Sequence, residues 1–201
     1  IGAYVASLSS FNSRIDRYLR GEAVRITASE RRGLNLFMGR AACATCHFPP
    51  TFAGYVPPTF LDSESEILGV PARFDTTDAI PDSDIGRAGG IRREHSRIYR
   101  HSFKTPTVRN AALTAPYFHN GSYGTLEKVI DFYARGGGKG IGWPVLHQTL
   151  PFDRLELSTR DRRDLVAFMN SLTDTAGLTH RPVHLPLLSP DRDHRTIGGE
   201  Y

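Results

Sequence analysis

The chain of 201 residues has only two cysteines, three positions apart, with a histidine directly after the second: Cys43-Ala44-Thr45-Cys46-His47. This C-x-x-C-H run is the attachment signature of a c-type haem. Cys43 and Cys46 lie about one helical turn apart, so both sulfurs reach the two vinyl groups of one porphyrin. The imidazole of His47 then meets the iron from the proximal side. Both cysteines are used here, which leaves none for a disulfide. A redox dithiol would stand at the end of a strand in a βαβ pattern, and the sequence shows no such pattern. A structural zinc site needs about two further ligands at short spacing; no second C-x-x-C is present, and the pair His180 and His184 lies far along the chain in the tail. Covalent haem is the reading the motif favours.

Length and composition fit one soluble globular domain: 39% of residues are hydrophobic and 23% charged. No apolar run approaches the ~20 residues of a membrane span. Haem of this type is attached outside the cytoplasm, so a periplasmic or otherwise extracytoplasmic location is expected. The first residues show no signal peptide and Ile1 is not a start methionine. That reads as a processed or truncated chain. The net charge of +4 is carried by 22 arginines against 3 lysines. No nucleic-acid motif with stacking aromatics accompanies the arginines, so they read as solvated surface. A few of them balance haem propionates.

Apolar periodicity predicts a mostly α fold. Ile1, Val5, Leu8, Ile15 and Leu19 approximate one helical stripe. Thr27 and Glu30 form a capping box that opens a second helix, which runs through Leu34 and Phe37 to Gly39. Residues 48–104 lose periodicity and are punctuated by Pro and Gly. Haem offers such loops an apolar face to pack on, and residues 72–95 are the expected mobile part. Leu126, Val129, Ile130 and Tyr133 mark another helix, ended by Gly136, Gly137 and Gly138. The last helix opens at Ser158 and buries Leu165, Phe168, Met169 and Leu172. Residues 1–174 read as the haem domain, and 175–201 as an extended tail.

Residues 104–137, KTPTVRNAALTAPYFHNGSYGTLEKVIDFYARGG, resemble the carboxy-terminal haem domain of bacterial di-haem cytochrome c peroxidases. That superfamily includes the di-haem enzyme that matures the tryptophan-derived cofactor of methylamine dehydrogenase. The segments NSRIDRYLRGE, LNLFMGRAACATCH, ILGVP, DIGR and LPFDRLELSTRDRRDLVAFMNSLTD agree in order, so the resemblance covers about residues 2–174. It implies a cytochrome c-like haem domain with long irregular loops. The family carries two haem domains, and this chain has one C-x-x-C-H, placed in the second-domain pattern.

The resemblance also assigns residues. Typical members have Met as distal ligand of this haem, whereas the matching position here is Tyr133, as in the cofactor-maturing branch. A phenolate would stabilise the ferric state, where a thioether favours the ferrous. Read from the stripe alone, Tyr133 is a core tyrosine. Met38 and Met169 are the rival thioethers, and Met169 reads as core packing. The resemblance places His119 near the haem but off the iron. Arg109, with Arg135, is expected to add positive potential nearby. His95, His101 and His147 fall in weakly matched loops, and His180, His184 and His194 in the tail. The backbone carbonyls of Thr114 and Pro116 map to a calcium site that the first domain would complete; carbonyl oxygens suit that hard cation. The implied function is the electron-transfer half of a di-haem peroxidase or related peroxide-dependent oxidase. Its partners would be a second haem domain or subunit and a small redox protein. A single-haem electron carrier without catalysis, or a structural haem subunit of a larger redox assembly, are the alternatives.

Overall fold

A computed structural model describes residues 8–73, 82–90, 96–151, 153–176 and 178. The chain divides into two units, Phe11–Asp174 and a second made of Ile1–Ser10 with Thr175–Tyr201. The first unit carries every element discussed here. The tail beyond residue 178, His95 and parts of the 72–95 stretch lie outside the described residues.

Five α-helices appear among the described residues: α1 Arg14–Leu19, α2 Ala28–Met38, α3 Leu126–Ala134, α4 Gly137–Gly140 and α5 Thr159–Ser171. The only sheet among them is a two-stranded antiparallel ribbon, β1 Ser65–Glu66 with β2 Phe103–Lys104. The fold is mostly α, with long irregular loops between α2 and α3.

Three helices start on reciprocal caps. Ser13 and Asp16 cap α1, Thr27 and Glu30 cap α2, and Ser158 and Asp161 cap α5. In each, the hydroxyl takes an orphan backbone N–H and the acid returns a bond to the cap residue. The long first helix expected from the apolar stripe is corrected by the first of these boxes. Residues 8–12 are not helical, and α1 begins at Arg14 because Ser13 stops the helix there. Of the stripe positions among the described residues, Ile15 is buried and Leu8 and Leu19 are exposed; Ile1 and Val5 lie outside the described residues.

The main core joins α1, α2 and α5. Ile15, Leu36, Phe37, Phe52, Leu126, Ile130, Leu165, Phe168, Met169 and Leu172 form one cluster, with Phe168 fully buried at 0% exposure. Phe37, Phe52 and Phe168 meet mutually at centroid separations of 5.1–5.8 Å, two of the three contacts edge-on. Helices α2 and α5 cross where Gly33 sits. A Cβ there would stand 1.9 Å from the Asp164 carbonyl oxygen and 2.7 Å from Phe168 Cβ. Arg32 locks the same crossing by donating to both Asp164 oxygens at 2.7 and 3.0 Å.

A second, smaller cluster gathers Val70, Tyr123 and Phe132, with Leu68, Tyr117, Phe118, Val129, Tyr133 and Ile141 against it. Helix α3 lies between the two: Leu126 and Ile130 belong to the first, Phe132 and Tyr133 to the second. Gly136, at φ +88°, ends α3 as expected, but the glycines beyond it do not stay irregular. They wind into the short turn α4, whose Gly138 packs within van der Waals reach of Gly69 and Val145.

Candidate functional site

The C-x-x-C-H run sits directly after α2. Cys43–Thr45 form a single 3-10 turn, and the Cys43 carbonyl accepts from the N–H groups of both Cys46 (3.3 Å) and His47 (3.0 Å). One tight turn therefore gathers both thiols and the imidazole. Both cysteines are free and half-buried. Burial pushes the Cys43 thiol up to about 12 and raises Cys46 as well, so neither carries charge near neutral pH.

His47 is held by backbone. Its Nδ1 lies 3.1 Å from the Pro106 carbonyl oxygen and 3.3 Å from that of Phe52. Both partners only accept, so Nδ1 carries the proton and donates it. That tautomer leaves the Nε2 lone pair unshared, and Nε2 has no hydrogen-bond partner among the described residues. Burial lowers the pKa of the imidazole and keeps it neutral. A metal-binding histidine needs this arrangement: one nitrogen fixed by a carbonyl, the other open and uncharged.

Tyr133 approaches from the second cluster. Its ring packs on Phe118 at 6.0 Å and Phe132 at 5.8 Å. Its hydroxyl has no hydrogen-bond partner among the described residues. Burial drives the phenol pKa far above its ordinary value, and the nearby Cys43 and Cys46 sulfurs and the Glu66 carboxylate push in the same direction. The phenol thus shares its surroundings with both thiols of the C-x-x-C-H turn. Tyr133 does not continue the Leu126 and Ile130 stripe into the main core, as its spacing suggested. It turns toward the second cluster instead.

An acidic wall, which the sequence reading missed, closes one side. Oxygens of Glu64 and Glu66 and the sulfur of Cys46 all lie within 4.8 Å of one another. Burial and the neighbouring Glu66 raise the pKa of Glu64. The i, i+2 spacing on a strand edge was the available signal, hidden in a stretch read only as irregular.

Other expected site residues fall elsewhere. The guanidinium of Arg109 bonds Asp16 at 2.7 and 2.8 Å and the Pro50 carbonyl at 2.6 and 3.1 Å, beneath the loop that follows His47. It braces the proximal loop and neutralises the buried acid Asp16. His119 stacks on Phe103 at 3.6 Å and meets Asp82 at 3.0 Å. Thr114 and Pro116 lie in an exposed turn. Met38 is 47% exposed on the last turn of α2, whereas Met169 is core, as expected. His101 donates from Nδ1 to the Asp84 carbonyl oxygen at 2.7 Å. Arg135 is exposed and faces Asp131 at 3.8 Å.

These residues fit a covalently held haem: two thiols on one turn, an open neutral imidazole nitrogen beside them, and an unbonded phenol in the same surroundings. Such a group, when bound, supplies one-electron iron chemistry. The fold places its chain partners on two separately packed clusters, so each side is rigid on its own.

No protein-family model matches the chain. Among curated proteins, the cytochrome-c peroxidase IdrP2 of Denitromonas iodatirespirans is 34% identical over 86% of this chain and 47% of its own length. The methylamine utilization protein MauG of Methylorubrum extorquens is 33% identical over 89% of this chain and 44% of its own. Among solved structures, a MauG-like protein associated with microbial copper homeostasis has TM-score 0.62 and 32% identity, covering 82% of this chain and 49% of that one. The di-haem peroxidase BthA of Burkholderia thailandensis shares the fold at TM-score 0.60 and 23% identity, over 84% of this chain and 48% of its own. The chain spans about half the length of the curated relatives it matches. The ordered motifs, the mostly α architecture and these relatives agree: the homologues of this chain are di-haem cytochrome c peroxidases and MauG, matched over about half of their own length.

Proposed function

We propose that this chain is the electron-transfer half of a di-haem peroxidase-like oxidoreductase. It carries one haem c on Cys43 and Cys46, with His47 and Tyr133 as the two protein ligands of the iron. The observation that carries this reading is the pairing of two unbonded donor atoms, Nε2 of His47 and the hydroxyl of Tyr133, with the two thiols. Polar groups left half-buried without partners cost stability, and a bound iron would satisfy both.

The chain's residues divide the work. The Pro106 and Phe52 carbonyls hold the His47 proton on Nδ1 and aim Nε2. Phe37, 6.3 Å from the His47 ring, and the main core fix the proximal side. The second cluster packs the ring of Tyr133 against Phe118 and Phe132 and fixes its position. Burial disfavours a free phenolate there, so Tyr133 loses its proton only to a positive centre such as ferric iron. A phenolate ligand would hold iron oxidised, which suits a site that shares oxidising equivalents with a second haem.

Peroxide chemistry itself is assigned to a second haem domain or subunit beyond this chain's motifs. The exposed turn at residues 113–116 supports a docking role, with Leu113 at 59% exposure and the Thr114 and Pro116 carbonyls available for a shared calcium ion. An extracytoplasmic location follows from covalent haem attachment. Among the described residues, no helix is long and apolar enough to cross a membrane.

Acid-acetone extraction tests the attachment: haem should stay with the polypeptide, and release into the solvent refutes the thioether bonds. Tyr133→Phe tests the ligand. It should open the ferric iron to exogenous ligands and raise the reduction potential, and an unchanged spectrum and potential would remove Tyr133 from the iron.

A further inference from the structure

The β1–β2 ribbon has two faces with opposite chemistry. Side chains alternate along a strand. Glu64 and Glu66 turn to the Cys46 side, while Ser63 and Ser65 line a groove of about 620 Å³ with Ser102, Phe103, Lys104 and Arg87. Nothing in the haem reading uses this groove.

Its polar groups converge without being satisfied. Arg87 and Lys104 have no carboxylate within ion-pair distance among the described residues. Arg87 donates to the Ser65 hydroxyl at 2.8 Å and lies 5.0 Å over the Tyr99 ring. Lys104 lies 4.6 Å over the Tyr55 ring. These aromatic contacts hold the cations in place and leave their charge uncompensated. Ser102, also on the lining, is 1% exposed, and its hydroxyl has no hydrogen-bond partner among the described residues. Asp62, the single acid on the lining, is exposed and outnumbered by the two cations.

The loop that delivers Arg87 is fixed by several bonds. Gly86, at φ +58°, passes so close to Ser102 that a Cβ would stand 2.4 Å from the Ser102 carbonyl oxygen. The Asp84 side chain accepts from Gly86 N–H at 2.8 Å, and Arg87 N–H donates to the Ser102 carbonyl at 2.8 Å. Only glycine takes this backbone shape freely, and it carries the chain close past the Ser102 backbone to the arginine.

We propose that this groove is a binding site for a small oxyanion of the phosphate class, held by Arg87, Lys104 and the hydroxyls of Ser65 and Ser102. Guanidinium and ammonium groups give charge-assisted bonds to such oxygens, and the Ser102 hydroxyl gains the partner it lacks. The site stands on the face of the ribbon away from Cys46, so an anion there is separate from the haem ligands.

The test is calorimetric titration of the haem-loaded protein with inorganic phosphate near neutral pH, against sodium chloride at matched ionic strength. Saturable binding at one site is expected in phosphate only. Arg87→Gln combined with Lys104→Gln should weaken it at least tenfold, and Ser102→Ala several-fold, about the loss of one or two charge-assisted bonds. Arg87 and Lys104 are exposed, so the double variant keeps its fold, which circular dichroism checks. Heats indistinguishable from the chloride control, or an affinity unchanged in the double variant, would overturn the proposal.

Discussion

Replacing Arg109 by Gln removes the cation that joins three parts of the proximal side. Its fork bonds Asp16 at 2.7 and 2.8 Å and reaches the Pro50 carbonyl, while its guanidinium lies 4.5 Å over Phe11 and 5.4 Å over Phe52. Asp16 and Arg109 are both buried. Breaking a buried pair from one side costs about 3–5 kcal/mol, because the remaining charge is left unpaired in low dielectric. The Ser13 N–H and hydroxyl still bond Asp16, which places the cost toward the lower end of that range. For a chain of this size, each kcal/mol moves Tm by roughly 2–4 °C, so the melting temperature should fall by about 6–12 °C. Arg109→Lys should recover only part, since one ammonium cannot bond both Asp16 oxygens and the Pro50 carbonyl in the same geometry. Urea denaturation of Arg109→Gln, Asp16→Asn and the double variant measures the coupling directly. A loss below about 1 kcal/mol for Arg109→Gln, or no coupling with Asp16, would refute the brace.

Other outcomes follow from the same geometry. Gly33→Ala should destabilise by at least about 1–3 kcal/mol in chemical denaturation, because its methyl must push α2 away from the Asp164 backbone. Phe168→Ala should cost about 3–5 kcal/mol by the same measurement, since the ring joins Phe37 and Phe52 in a fully buried core. Acid should unfold the protein through its paired carboxylates. Asp16, Asp161 and Asp164 all titrate below their ordinary 3.8, Asp161 at about 2. Groups depressed in the folded state stabilise it fully above their unfolded pKa, and that stability is lost as pH falls from about 4 toward 2. Fluorescence-detected urea midpoints across that window should drop steeply, and a flat profile would contradict the pairing.

Much of the site was legible because its signals are local. Cys43, Cys46 and His47 declare themselves by spacing, and Thr27, Glu30, Ser158 and Asp161 mark helix starts through bonds spanning three residues. Position 133 came from the resemblance, and its surroundings beside both thiols follow from packing that spacing could not supply. The misreadings have different causes, and for some the deciding partner is far along the chain. Asp16 is 93 residues from Arg109, and without it Arg109 reads only as a positive charge. Ser13 was passed over because the apolar stripe from Ile1 to Leu19 runs through it, although Ser13 and Asp16 have the spacing of the box recognised at Thr27. The carbonyls that hold His47 belong to Phe52 and Pro106, and side-chain type says nothing about a backbone acceptor. The ribbon of four paired residues is too short for any alternation to show, so neither its acidic face nor its basic groove was foreseen.

The central claim is that His47 and Tyr133 hold one iron from opposite sides. A crystal structure of the haem-loaded ferric protein tests it most directly. The account predicts thioether bonds from Cys43 and Cys46, His47 Nε2 on the iron with Nδ1 still donating to the Pro106 carbonyl, and the Tyr133 oxygen at coordination distance. Tyr133 turned away from the iron, with a thioether such as Met38 or an open distal position in its place, would contradict it.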